Sequence, residues 1–65
     1  MFKLYYYFYN STPELMFTDF DLEPCLNYIK SSNLNPLQCL IITPNNRRIT
    51  FDYNCKMAFS EFISA

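Results

Sequence analysis

Three kinds of side chain here could do chemistry: three cysteines, six carboxylates and six tyrosines. The thiols Cys25, Cys39 and Cys55 stand 14 and 16 positions apart. None forms the C-x-x-C knuckle that grips zinc, and no histidine exists to complete a ligand set. Each falls on an expected apolar face, so they read as small buried hydrophobes rather than as a disulfide, reactive thiols or metal ligands. Asp19, Asp21 and Glu23 cluster where a helix should begin. There carboxylates accept the orphan N–H bonds of the first turn and meet the positive end of the helix dipole. The competing reading is an acidic contact patch for a basic partner. A catalytic carboxylate pair would need a cleft, which 65 residues rarely provide.

Absences narrow the chemistry further. Without histidine there is no Ser-His-Asp or Cys-His arrangement. Without glycine there is no phosphate-cradling loop and no dinucleotide fingerprint. The chain is therefore expected not to be an enzyme, and to need no cofactor or metal.

Tyrosine carries the most information. In Phe2–Tyr9 the residues alternate: Phe2, Leu4, Tyr6 and Phe8 face one way, while Lys3, Tyr5, Tyr7 and Tyr9 face the other. If helices cover the first face, Tyr5, Tyr7 and Tyr9 stand in an exposed row. Tyrosine offers a large contact area, few rotamers and a polar tip, the profile of an interface residue. The plainer alternative is that these rings tile a sheet surface. Arg47 and Arg48 begin another strand after a turn. With Lys3 and the tyrosines they could hold single-stranded nucleic acid, bases on rings and phosphates on cations. Otherwise they are a solvated hairpin tip.

Charge weighs against that last reading. Five basic and six acidic residues give a net charge of −1, not the basic excess of a nucleic-acid binder. No apolar run approaches the roughly 20 residues of a membrane span. The aromatic start is too tyrosine-rich, and lacks the small-residue site, to read as a cleaved signal. A cytoplasmic protein is expected, so the Asn10-Ser11-Thr12 acceptor pattern has no role. A bias to Phe, Tyr, Ile, Asn and Lys suggests AT-rich coding sequence, as in a low-GC bacterium or its phage.

These residues must be positioned by a single domain over 1–65. Strands are predicted for 2–9 and 15–18, joined by the turn formers Asn10-Ser11-Thr12-Pro13. A helix follows, capped by Asp19 or Asp21, with Pro24 in its first turn and Leu22, Cys25, Leu26 and Ile29 on one face. Residues 37–43, apolar on both faces, read as a central strand paired beside 2–9. Thr43-Pro44-Asn45-Asn46 is a turn, in which asparagine must take the left-handed positions that glycine usually fills. Residues 47–53 alternate, with Ile49, Phe51 and Tyr53 inward. The tail is predicted to be a second helix, capped by Asn54, with Cys55, Ala58, Phe59 and Phe62 on its apolar face. The expected fold is α+β, ββαββα: a mainly antiparallel four-stranded sheet with two helices packed on one face. Residues 1–33 and 36–65 could then be a ββα pseudo-repeat.

A short chain of this composition resembles, in size and style, phage-encoded inhibitors of host defence such as anti-CRISPR proteins. That resemblance and the tyrosine row imply a small protein-binding module, an inhibitor or adaptor of a larger target. Its expected contact residues are Tyr5, Tyr7, Tyr9, Asp19, Asp21 and Glu23. The alternatives are a nucleic-acid binder using Lys3, Arg47 and Arg48, or a self-assembling subunit whose homodimer extends the sheet across an edge strand.

Overall fold

The computed structural model describes residues 1–9, 11–54 and 56–62, with the backbone alone for 58–62. Its elements are β1 (Phe2–Tyr6), β2 (Glu14–Asp19), α1 (Leu22–Ser31), a 3-10 turn (Pro36–Gln38), β3 (Cys39–Ile42), β4 (Arg47–Phe51) and β5 (Met57–Phe62). The strands lie in the order β2-β1-β3-β4-β5, every neighbouring pair antiparallel. The fold is thus α+β, with one helix on a four-stranded antiparallel sheet that β5 extends beyond β4.

Pairing across the sheet explains the core. Phe17, Leu4, Ile41 and Ile49 stand opposite one another in successive strands. Cross-strand partners share a face, so these four form one apolar row. Leu4, Ile41 and Ile49 are fully buried. Cys25 and Ile29 from α1, with Cys39 and Phe51, complete the cluster. The predicted helical face is the one that packs, with Leu22 and Leu26 flanking these buried positions. Tyr28 of α1 also stacks on Phe17, ring centroids 4.9 Å apart.

The helix ends as its sequence requires. Asn33 takes a left-handed φ of 56°. Leu34 N–H donates to the Ile29 carbonyl, and Asn33 N–H to that of Lys30. This is the Schellman closure, and Leu34 packs against the core cluster that includes Ile29. Asn46 (φ 62°) fills the same conformational role in the β3–β4 turn.

The second helix is a correction: Met57–Phe62 is a strand. Asp52 is the reason the chain turns back. Its Oδ1 accepts from the N–H groups of both Asn54 and Lys56 at 2.9 Å, and its own N–H donates to the Lys56 carbonyl. Asn54 is thus a turn residue, not a helix cap. The returning segment satisfies the outer edge of β4, which a helix would leave unpaired. So short a helix would also be marginal on its own. The register explains the misleading pattern. Arg47 pairs with Phe62 and Ile49 with Phe59, with an irregularity between Arg47 and Arg48. Positions three apart in β5 therefore oppose positions two apart in β4, and a bulged strand imitates helical spacing. Among the described residues from 36 onward, the segment predicted as the helix of a ββα repeat is the strand β5. Cys55 lies outside the described residues.

Three boundaries also move. β1 ends at Tyr6 rather than Tyr9. Leu37 and Gln38 belong to the 3-10 turn, capped by Asn35, whose side chain accepts from Leu37 N–H. Tyr53, expected inward, sits in the Asp52 turn and is 84% exposed.

Candidate functional site

The helix-free face of the sheet is built from the other half of each strand's alternation. β1 contributes Lys3 and Tyr5, since Leu4 points to the core. Tyr5 pairs with Leu15 on one side and Leu40 on the other. Two residues along, Lys3 pairs with Thr18 and Ile42, and Ile42 pairs in turn with Arg48. The face therefore carries an apolar row, Leu15–Tyr5–Leu40. Beside it runs a mixed row, Thr18–Lys3–Ile42–Arg48, with a cation on each side of Ile42.

Between the two rows lies an open groove of about 280 Å³, lined by Tyr5, Pro13, Leu40 and Ile42. Its size falls just under the range of about 300–1,000 Å³ usual for small-molecule sites. Leu40 forms part of its floor and is only 7% exposed, although it stands apart from the helix-side core. Leu15, at the edge, is largely exposed.

Tyr7 and Tyr9 do not continue the row as strand residues. Tyr7 is held by its backbone. Its N–H donates to the Gln38 carbonyl at 2.9 Å, and Gln38 Nε2 donates to the Tyr7 carbonyl at 2.7 Å. Tyr6 Oη donates to Gln38 Oε1 and accepts from Asn35 N–H. Phe8 meets Tyr6 edge to face at 4.9 Å. This clamp fixes the exit of β1 and leaves Tyr7 exposed, with Tyr9 beyond it at 88% exposure. Sequence reasoning missed Gln38, placing it inside a strand. The available signal was a lone amide within an otherwise apolar run.

The acidic trio lies at the opposite end of the β1–β2 hairpin from Tyr7, because Asp19 pairs with Phe2. Asp21 occupies the N-cap position of α1 in an extended conformation, but its side chain makes no cap bond. Asp19 Oδ1 instead accepts from Asp21 N–H at 3.0 Å, a local turn that launches the helix. Glu23 sits in the first turn, where the helix dipole favours it. Beneath them the Cys25 thiol is buried and donates to the Asp21 carbonyl. Burial pushes that thiol above its ordinary range, and the Asp19 charge adds to the rise.

Arg47 and Arg48 are exposed and separate by alternation: Arg48 joins the Lys3 row, whereas Arg47 shares the parity of Ile49. Thr43 sets the turn before them. Its hydroxyl donates to Asn45 Oδ1 at 2.6 Å and accepts from Arg47 N–H at 2.8 Å. Lys3 and Arg48 stand two strand spacings apart, about 9.6 Å.

No family model, no curated protein and no solved structure matches this chain.

The Cys25 and Cys39 thiols are both buried. Among the described residues no group of three His, Cys, Asp or Glu side chains could hold a metal ion. Nor, among them, is any helix long and apolar enough to cross a membrane. Among the described side chains, the helix-free face presents apolar surface, the Tyr5 ring and the cations Lys3 and Arg48.

Proposed function

We propose that the protein is a small non-enzymatic protein-binding module, an inhibitor or adaptor that docks on a larger protein through the helix-free face of its sheet. The supporting observation is the groove between Tyr5, Pro13, Leu40 and Ile42 on a face that α1 does not cover. Apolar surface at the centre of a patch with charges at its rim is the anatomy of a protein interface. Tyr7 and Tyr9, exposed at the end of β1, extend the contact with rings that bring large area at little entropic cost. Asp19, Asp21 and Glu23 lie at the far end of the hairpin, and we assign them to launching α1 rather than to the partner. The protein's size and composition support a site of action in the cytoplasm of a bacterial cell or a phage-infected host.

A second reading has one observation in its favour. Lys3, Ile42 and Arg48 form one row beside Tyr5, so two cations and a ring share a face as in single-strand binders. The even charge balance favours the first. One experiment separates them: affinity capture from host lysate, with and without nuclease, using wild type and a Tyr5→Ser, Tyr7→Ser, Tyr9→Ser variant. The expected outcome is one dominant protein that survives nuclease and is lost with the triple variant, whose circular dichroism remains native. Capture that vanishes on nuclease treatment supports nucleic acid. Retention by a folded triple variant sinks the tyrosine-face reading.

A further inference from the structure

We infer that Gln38 is a positioning residue for the tyrosine contact. Its side-chain amide stands in for its own main-chain N–H, closes the last rung between β1 and β3, and so fixes how Tyr7 and Tyr9 leave the sheet. The use made of those rings rests on the protein-binding reading.

The register shows which donor is replaced. β1 and β3 pair from Lys3 opposite Ile42 to Tyr6 opposite Cys39. One step further Tyr7 faces Gln38, and Tyr7 N–H donates to the Gln38 carbonyl at 2.9 Å. In an antiparallel ladder a hydrogen-bonded pair exchanges two bonds, each residue donating to the other. The second bond calls for Gln38 N–H, but that group is turned away. It donates to the Asn35 carbonyl at 3.0 Å and closes the 3-10 turn over Pro36–Gln38. Gln38 Nε2 takes its place and donates to the Tyr7 carbonyl at 2.7 Å. One residue thus serves two elements: its main chain ends the turn, and its side chain ends the ladder.

The amide is held in one orientation. Its Oε1 accepts from Tyr6 Oη at 3.3 Å, which leaves Nε2 to face Tyr7. Tyr6 Oη in turn accepts from Asn35 N–H at 3.3 Å, so turn, ring and amide form one network. Phe8 closes edge to face on the same ring.

The side chains held in this way are exposed, Tyr7 at 43% and Tyr9 at 88%. Rings carried on a fixed backbone give up less freedom on meeting a partner than rings on a loose segment. Other side chains do not substitute for this amide. Leucine has neither donor nor acceptor. Glutamate keeps an acceptor for Tyr6 Oη but sets a carboxylate, with no donor, against the Tyr7 carbonyl.

The test compares the full chain with its Gln38→Leu and Gln38→Glu variants by amide hydrogen exchange and ¹⁵N relaxation at neutral pH. In both variants Tyr7 N–H should exchange roughly 2- to 13-fold faster, the range for one lost hydrogen bond. Heteronuclear NOEs of Tyr7, Phe8 and Tyr9 should fall, while the amides of Ile41 and Ile49 keep their wild-type rates. Gln38→Glu is nearly isosteric and carries the test if Gln38→Leu does not fold. An unchanged Tyr7 amide overturns the inference. Equal acceleration at Ile41 and Ile49 also overturns it, since Gln38 then serves global stability alone. A Gln38→Glu variant that matches wild type assigns the effect to Tyr6 and overturns it as well. In the capture from nuclease-treated host lysate, the retained protein should wash off Gln38→Glu faster than off wild type, by a comparable factor. Equal retention by wild type and a loosened Gln38 variant overturns the positioning role. If the triple tyrosine variant still loses its captured protein in that case, the protein-binding reading stands. If the triple variant retains it, the tyrosine contact and the role of Gln38 in it fall together.

Discussion

Asparagine does in this protein what glycine does in most. Asn33 and Asn46 hold left-handed conformations that cost an ordinary residue about 1–2 kcal/mol. Asn33→Ala should therefore lower unfolding free energy by about 1 kcal/mol, and Asn33→Gly should restore it, as read by urea denaturation. Cys25 makes a second residue-level claim, about pH. Its thiol is raised in the fold, chiefly by burial and then by Asp19. The unfolded chain then loses this proton first, near pH 8.5, while the folded chain keeps it. Fewer protons bound to the unfolded state means that stability falls as pH rises above that point. It is fully present below it. A Cys25→Ala variant should be less stable at neutral pH, but the difference between variant and wild type should narrow as pH rises from 8 to 10. A constant difference across that range would remove the argument.

Among the elements, β2 lies at one edge of the sheet, where an unwanted strand could join. Leu4 pairs with Phe17 and Tyr5 with Leu15, so Met16 is an extra residue in β2. A bulge of this kind twists an edge and discourages pairing with another chain. Deleting Met16 should give a regular ladder and concentration-dependent association, visible by sedimentation velocity; a variant that stays as monomeric as wild type would contradict this role. The elements also show what was legible in the sequence. The first hairpin and α1 with its apolar face followed from periodicity, and the place of β3 beside β1 followed from a run that is apolar on both faces. The tail did not, because the bulge opposite Arg47 gives Phe59 and Phe62 a helical spacing. Tyr53 did not, because Asp52 gathers two N–H groups and ends the strand before it. The tyrosine row was half legible: alternation places Tyr5, but the Gln38 clamp that ends β1 depends on a residue more than thirty positions away. The groove needed Leu40, Ile42 and Pro13 brought together, and no local pattern reports that.

On the scale of the molecule, one sheet carries two unlike faces. One is closed by α1 over Leu4, Ile41 and Ile49; the other carries the groove between Tyr5, Pro13, Leu40 and Ile42, with Lys3 and Arg48 in the next row. A chain of this length has little interior to spare, since domains near 60 residues bury only about 60% of the surface of the unfolded chain. A partner docked on the helix-free face would remove Leu15 and the groove lining from water. Strand order has a different consequence, one for biosynthesis. β1 is an interior strand, hydrogen-bonded to β2 on one side and to β3 on the other. Its neighbour β2 follows almost at once, but Tyr6 and its partner Gln38 are 32 positions apart. At a translation rate of about 5–20 residues per second, the second edge of β1 waits roughly 2–6 s for the residues that cover it. During that interval the nascent chain presents Leu4, flanked by aromatic residues, on an open strand edge. The β1–β2 hairpin is thus the stretch where a chaperone would be expected to engage the growing polypeptide.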